Sequence, residues 1–168
     1  PDCVIGDFDS TINSNRLDCL YITLPSEKDL TDTEAAINHA IELGIRDITV
    51  YGGIGGRLDH TLGNVGLLEK YLGKLDHLEF MDGKNSMQLL DGETCSSTIL
   101  TPVSTYRFFS LVSLDSAADG VSITGAKYNL DNASISRAST LCISNEIILK
   151  QAHISVHRGK VLLVRSAD

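Results

Sequence analysis

No stretch of the sequence approaches the roughly 20 apolar residues needed to span a bilayer, and no basic segment followed by an apolar one opens it. A helical anchor and a secretory leader therefore find no support in these residues, and the expected compartment is the cytoplasm. Paired cysteines are missing too. Cys3, Cys19, Cys95 and Cys142 are far apart, form no C-x-x-C pair and mostly stand in apolar surroundings, so they read as reduced core residues. Basic residues are scarce, 14 Lys and Arg against 22 Asp and Glu, for a net charge of −8. That field repels nucleic acid and anionic membrane. It also opposes a phosphorylated ligand, so a polyphosphate would need a local basic group or a divalent cation between it and the carboxylates. There is no internal repeat and no low-complexity segment. What remains, 42% hydrophobic and 21% charged residues over 168 positions, suits a globular chain of one domain or two small ones. The chain opens at Pro1-Asp2 without methionine and enters a strand end within four residues, from which an upstream segment is expected.

Strand and helix signals alternate through the first half. Cys3-Val4-Ile5 reads as the tail of a buried strand stopped by Gly6, and Cys19 to Leu24 as a second strand closed by Pro25. Thr31 and Glu34 form a capping box ahead of Ala36, Ile37, Ala40 and Ile41, which repeat on one helical face until Gly44. Arg46 to Tyr51 is a β-branched strand, and a helix from about Leu58 to Leu72 is expected to face inward through Leu62, Val65, Leu68 and Leu72. His77 to Met81 is a further strand. This order predicts a mostly parallel sheet covered by helices, a three-layer α/β domain that is incomplete at its N-terminus. From Asp82 the character changes. Short runs at Ser86–Leu90, Cys95–Leu100, Tyr106–Leu114, Gly120–Thr124, Thr140–Leu149, Ile154–His157 and Val161–Val164 alternate with turns, predicting an all-β antiparallel sandwich or barrel. The boundary is expected between Asp82 and Gly92, giving domains of 1–84 and 85–168.

Three segments carry chemistry. Gly6-Asp7-Phe8-Asp9-Ser10 places two carboxylates two apart beyond a strand end; an extended D-x-D puts both on one side, which suits a hard cation, and a plain polar loop explains the residues equally well. In Lys28-Asp29-Leu30-Thr31-Asp32-Thr33-Glu34, capping accounts for Thr31 and Glu34 but less well for Lys28 and Asp29, and Asp32 could serve both helix and cation. The most informative segment is Gly52-Gly53-Ile54-Gly55-Gly56-Arg57-Leu58-Asp59-His60, with Asn64 one turn on. Four glycines between strand and helix let backbone N–H groups approach an oxyanion, and Arg57 could grip phosphate with two prongs. The spacing fits neither the dinucleotide fingerprint nor the P-loop. If the strands are parallel, all three loops emerge along one carboxyl edge, where ligands bind in open α/β sheets. Of the histidines, His60 at a helix start could touch phosphate; His39, His77, His153 and His157 show no ligand spacing. Ser144-Asn145-Glu146 interrupts an apolar strand and reads as a bulge or as a small site for a polar heterocycle.

Together these residues resemble bacterial thiamine pyrophosphokinases. Gly6–Ser10, Lys28–Glu34 and Gly55–His60 look like the family's catalytic motifs in order and spacing; Thr124-Gly125-Ala126-Lys127-Tyr128 and Ser144-Asn145-Glu146 look like the signature of its thiamine-binding β-domain. The resemblance covers essentially the whole chain and implies an α/β catalytic domain followed by a β-sandwich. It also implies a homodimer with thiamine held between the catalytic domain of one subunit and the β-domain of the other. An N-terminal Asp-Gly-Gly strand of the family has no counterpart in this sequence. The implied activity is transfer of a pyrophosphoryl group from ATP to the hydroxyl of thiamine, with Mg²⁺ held by Asp7, Asp9 and Asp32 and developing charge stabilised by Arg57 and the Gly52 to Gly56 amides. Asp59, His60 and Asn64 are then expected at ATP, Lys28 and Asp29 at phosphate or metal, and Ser144 and Asn145 at the pyrimidine.

Two rival readings remain. Asp7-Phe8-Asp9-Ser10-Thr11 also fits the D-x-D-x-T of phosphatases that form an aspartyl phosphate, although those continue with α/β elements. A non-catalytic module binding nucleotide and metal is the other.

Overall fold

The computed structural model describes residues 1–7, 18–25, 27, 29–94 and 97–168, so Asp9, Lys28 and Cys95, singled out above, lie outside the described residues. Two compact units divide the chain, residues 1–46 and 47–168.

In the first unit, β1 (Cys3–Gly6) and β2 (Leu20–Thr23) pair in parallel, from Cys3 opposite Leu20 to Gly6 opposite Thr23. Helix α1 (Asp32–Glu42) packs on β1. Its start is the expected cap: the Thr31 hydroxyl accepts from the Glu34 N–H at 3.2 Å, and Asp32 and Glu34 sit in the first turn, where the helix dipole favours negative charge. Its end is fixed by Gly44. With φ at +85° it lets its own N–H reach the Ile41 carbonyl at 2.9 Å while the Ile45 N–H reaches that of Ala40 at 3.0 Å, closing a Schellman motif. Of the four apolar residues on the expected face, Ile37 alone is fully buried; Ala40 and Ile41 are half-buried and Ala36 is exposed.

The second unit begins with a strand–helix–strand crossover: β3 (Asp47–Tyr51), α2 (Leu58–Lys70) and β4 (His77–Met81), with β3 and β4 parallel and Asp47 opposite His77. The chain then reverses through a tight turn in which the Asp82 carboxylate accepts from the N–H groups of Lys84 at 2.7 Å and Asn85 at 2.6 Å. It continues as β5 (Asn85–Asp91), β6 (Ser97–Leu100), β7 (Phe108–Ser113), β8 (Ala117–Thr124), β9 (Leu130–Ser136), β10 (Asn145–Glu146), β11 (Ala152–Ser155) and β12 (Lys160–Ser166). These strands form a six-stranded sheet in the order β10-β7-β12-β5-β4-β3 and a four-stranded antiparallel sheet in the order β6-β11-β8-β9. One apolar cluster draws on both sheets: Leu90, Phe109, Leu111, Val161 and Leu163 from the first meet Leu100, Val121, Ile123, Ile135 and Ile154 from the second. A methylene buried there is worth about 0.8 kcal/mol, which makes this cluster the main stabilising mass of the unit.

The antiparallel sandwich is therefore present, and α2 is the last helix among the described residues. Within either unit, the described residues do not form a mostly parallel sheet of more than two strands. Each parallel pair within the described residues consists of two strands, and β4 passes directly to antiparallel β5, with Phe80 opposite Met87. The turn at Asp82, where a domain boundary was expected, joins neighbouring strands of one sheet. Two elements also differ from expectation. Thr140 to Leu149 is mostly turn, with only Asn145–Glu146 in strand and Leu141, Ile143, Ile148 and Leu149 exposed. Conversely, β9 arises from a polar segment, because an edge strand needs to bury only Ile135 while Asp131, Asn132, Ser134 and Ser136 face water. No described helix is long and apolar enough to cross a membrane. Cys3, Cys19 and Cys142 are free thiols.

Candidate functional site

The segment Gly52–Arg57 leaves the carboxyl end of β3 and enters α2. Its glycines have different reasons to be there. Gly52, Gly55 and Gly56 have φ of +79°, +90° and +63°, a region that side chains enter at a cost. Gly53 is short of space instead: a Cβ there would lie 2.5 Å from the ring of Phe80, which is completely buried. Two side chains of α2 hold the loop. Asn64 donates its amide to the Gly53 carbonyl at 2.7 Å, and the Thr61 hydroxyl accepts from the Gly55 N–H at 3.1 Å.

At the apex stands Arg57, the N-cap of α2, with no side-chain cap hydrogen bond. An arginine is a poor N-cap. It offers no acceptor to the first-turn N–H groups and brings positive charge to the positive end of the helix dipole. Such a broken local rule is expected where an anion binds. Arg57 instead makes a two-pronged pair with Asp59, Nε to Oδ1 at 3.1 Å and Nη2 to Oδ2 at 2.5 Å, and Asp59 also accepts from the His60 N–H at 3.0 Å. Both side chains are exposed. The hydrogen bond from Arg57 holds the Asp59 carboxyl at about 2, so it is ionised at neutral pH.

These contacts bear on three expected site residues or groups. Asn64 is 6% exposed and its amide donates to Gly53, so it secures the loop. Asp59 is spent on Arg57. The amide cradle is smaller than expected, since the Gly52 N–H goes to the Met81 carbonyl at 2.9 Å and that of Gly55 to Thr61. Nor does α2 face the core through Leu62, which is 62% exposed; Asn64, Leu67, Leu68 and Tyr71 do. Thr61 escaped the sequence reading because one threonine inside a helix carries no spacing signal.

In the first unit Asp7 directly follows β1, and Asp29 and Asp32 lie on the exposed path from β2 into α1. Asp7 thus stands just beyond the carboxyl end of β1, and Asp32 opens the first turn of α1. As carboxylates they are hard oxygen donors of the kind Mg²⁺ takes, so the donor chemistry fits. Among the described residues no group of three or more His, Cys, Asp or Glu comes together to hold a metal ion; Asp9, the third expected donor, is not among them.

The Ser144-Asn145-Glu146 motif proves to be a structural knot. Asn145 is 2% exposed. Its carbonyl oxygen accepts from the N–H groups of Tyr128 at 3.0 Å and Glu146 at 2.9 Å, and its amide donates to the Tyr128 carbonyl at 2.7 Å. The two signature segments of the second half are therefore stapled together by one side chain. Ser144, at φ +59°, is held in the left-handed region as its N–H donates to the buried Ser110 hydroxyl at 3.0 Å. Glu146 accepts from Lys127 and from Arg107, each at 3.0 Å, and those hydrogen bonds push its pKa down. Asn145, Lys127, Tyr128, Leu130, Cys142 and Ile123 line a cavity of about 430 Å³, within the roughly 300–1,000 Å³ of small-ligand sites.

The arrangement has known counterparts. The family described as "Thiamin pyrophosphokinase, catalytic domain" matches residues 1–79, and "Thiamin pyrophosphokinase, vitamin B1 binding domain" matches residues 96–161. A thiamine pyrophosphokinase of Bacillus subtilis is 32% identical over 169 residues, covering 97% of this chain and 77% of the relative. The crystal structure of thiamine pyrophosphokinase from Bacillus subtilis superposes with a TM-score of 0.89 at 31% identity, over 100% of this chain and 79% of that one. The thiamin pyrophosphokinase from Geobacillus thermodenitrificans does so with a TM-score of 0.85 at 35% identity, over 100% and 78%.

Proposed function

The chain belongs to the thiamine pyrophosphokinase family, and from that premise we propose how its residues share the work. The activity is that of a transferase: the pyrophosphoryl group of ATP passes to the hydroxyl of thiamine, giving thiamine diphosphate and AMP. The hydroxyl oxygen forms a bond to the β-phosphorus while the bond from that phosphorus to the oxygen bridging to the α-phosphate breaks. Catalysis of such a transfer is mostly positioning and charge neutralisation.

Arg57 grips the phosphates, supported by its place at the open N-terminus of α2. Asp59 aims the guanidinium, and Asn64 keeps the loop on the helix. Gly55, Gly56 and His60 border the same phosphate position. Asp7, Asp9 and Asp32 would hold Mg²⁺, with Lys28 and Asp29 beside the phosphates or the metal; when bound, the ion supplies positive charge against the polyphosphate. Ser144 and the knot tied by Asn145 take the pyrimidine of thiamine. We assign residues 1–84 to ATP and metal and residues 85–168 to thiamine, with the cytoplasm as the site of action. The aspartyl-phosphate alternative has lost its support, because strands and turns follow α2 among the described residues.

One observation carries the proposal that the protein works as a homodimer. In the six-stranded sheet, β10, which bears Asn145, and β3, which leads into the glycine loop, occupy opposite edges. Five inter-strand spacings separate them, about 24 Å at roughly 4.8 Å each. Thiamine held at Ser144–Asn145 is then out of reach of phosphates held at Arg57 of the same chain, and a second copy bringing Ser144 to Arg57 completes the site. Complementation tests it. Arg57→Gln and Ser144→Asp proteins, each expected to be inactive, are unfolded, mixed and refolded, and AMP release is measured with thiamine, ATP and Mg²⁺. Random pairing of a two-fold dimer should restore about one quarter of the wild-type rate. No recovery from two inactive parents would refute the shared site, and an active parent would remove that residue from it.

A further inference from the structure

The apex of the glycine loop has little packed against it. A Cβ at Gly56 would meet nothing within 4 Å, and one at Gly55 would come no nearer than 3.8 Å to Asp82. Packing therefore does not fix the apex, and its conformation, two successive glycines at φ +90° and +63°, rests on hydrogen bonds. The hydroxyl of Thr61 makes the decisive one. It accepts the Gly55 N–H at 3.1 Å and donates to the Arg57 carbonyl, four residues back along α2, at 3.4 Å. A hydroxyl has one donor and two acceptor lone pairs, and both kinds of capacity are in use. The same oxygen thus ties the first residue of the turn, Gly55, to the residue after it, Arg57, whose side chain is held in turn by the Asp59 carboxylate.

We propose that Thr61 is a positioning residue of the nucleotide site, its hydroxyl setting the Gly55–Gly56 turn that aims Arg57, while touching no substrate. This rests on the phosphate role proposed for Arg57. It follows that the Gly55 N–H remains on Thr61 when ATP binds, so anion contacts fall to Arg57 and to the first turn of α2. It also follows that the hydroxyl, and not the methyl group, is what the loop requires. Valine has the same shape without the acceptor, and serine keeps the acceptor without the methyl.

The test uses the intact protein and the variants Thr61→Val, Thr61→Ser and Arg57→Gln. Loss of one hydrogen bond that leaves a donor unpaired corresponds to about tenfold in an equilibrium constant. Thr61→Val should therefore raise the KM for ATP about tenfold, leave the KM for thiamine unchanged, and speed hydrogen exchange at the Gly55 amide by about the same factor, read by NMR on labelled protein. Thr61→Ser should restore all three to within about twofold of wild type. Unchanged exchange and unchanged KM in Thr61→Val, or a Thr61→Ser protein that behaves like Thr61→Val, overturns the proposal. If Thr61→Val speeds exchange while Arg57→Gln releases AMP at the wild-type rate, the tie stands and the phosphate role of Arg57 falls.

Discussion

Replacing Gly53 by alanine tests how tightly the glycine loop is bound to the core. The backbone at Gly53 is not in the left-handed region, so the cost is purely one of space. The added methyl would sit 2.5 Å from Phe80 Cδ1, 3.3 Å from Phe80 Cε1 and 3.3 Å from Asn64 Nδ2. Carbon atoms in contact prefer about 3.5–4.0 Å, so the shortfall against the ring is about 1 Å. Phe80 has no solvent to move into, being fully buried at mid-strand between Val50 of β3 and Met87 of β5. Overpacking of this kind costs about 1–3 kcal/mol, and with Asn64 also displaced from the Gly53 carbonyl a value of about 2 kcal/mol is expected. With a urea slope near 2 kcal/mol per molar, the unfolding midpoint should fall by about 1 M. The cycle with Phe80→Leu supplies the control. Leucine removes ring atoms that the methyl would strike, so the double variant should be at least about 1 kcal/mol more stable than the sum of the singles. A Gly53→Ala protein unfolding within about 0.2 M of wild type, or strict additivity in the cycle, would refute the steric argument.

Three further outcomes are expected. Asn145→Ala removes a buried side chain that ties β10 to Tyr128, so it should cost about 2–3 kcal/mol in denaturant unfolding and raise the KM for thiamine while leaving that for ATP alone; a stable protein with normal thiamine affinity would disprove the knot. The Asp59 carboxyl should titrate at about 2 in NMR, below its ordinary 3.8. A depressed folded-state pKa contributes above the ordinary value and is lost as pH falls through about 2, so the pair with Arg57 should leave ATP affinity flat from about pH 5 to 8, and a break in that window abolished by Asp59→Asn would contradict it. Asp7→Asn and Asp32→Asn should each raise the Mg²⁺ concentration for half-maximal AMP release by more than the ~10-fold typical of losing an outer-shell partner, and an unchanged Mg²⁺ titration would remove that residue from the metal.

Local features were legible where the chemistry is local. Thr31 and Gly44 bracket α1 because a hydroxyl acceptor and a positive φ solve problems posed within a few residues. The glycine loop was legible for the same reason, as four glycines before a helix exceed what a turn needs. The face of α2 was not: Leu62 and Leu68 look alike in a periodic pattern, and the burial of Leu68 with exposure of Leu62 depends on where β4 and β5 lie. The apolar stretch around Ser144 misled for a related reason. Apolar content argues for burial, yet Leu141, Ile143, Ile148 and Leu149 are exposed and the buried member is polar Asn145, whose hydrogen bonds join partners 17 residues away. A bulge in a strand and a staple between segments look the same along a sequence.

The sequence by itself pointed to a class of chemistry, since carboxylates near strand ends, a glycine turn and an arginine are residue types and short-range order that suit a polyphosphate ligand. Tertiary structure decided the division of labour among those residues. It turned Asn64 and Asn145 into staples, turned Asp59 toward Arg57 and recruited an unremarked threonine, because hydrogen-bond partners are chosen by distance in space. It also laid β3 and β10 at opposite edges of one sheet, a consequence of antiparallel pairing between β4 and β5 that no local pattern encodes.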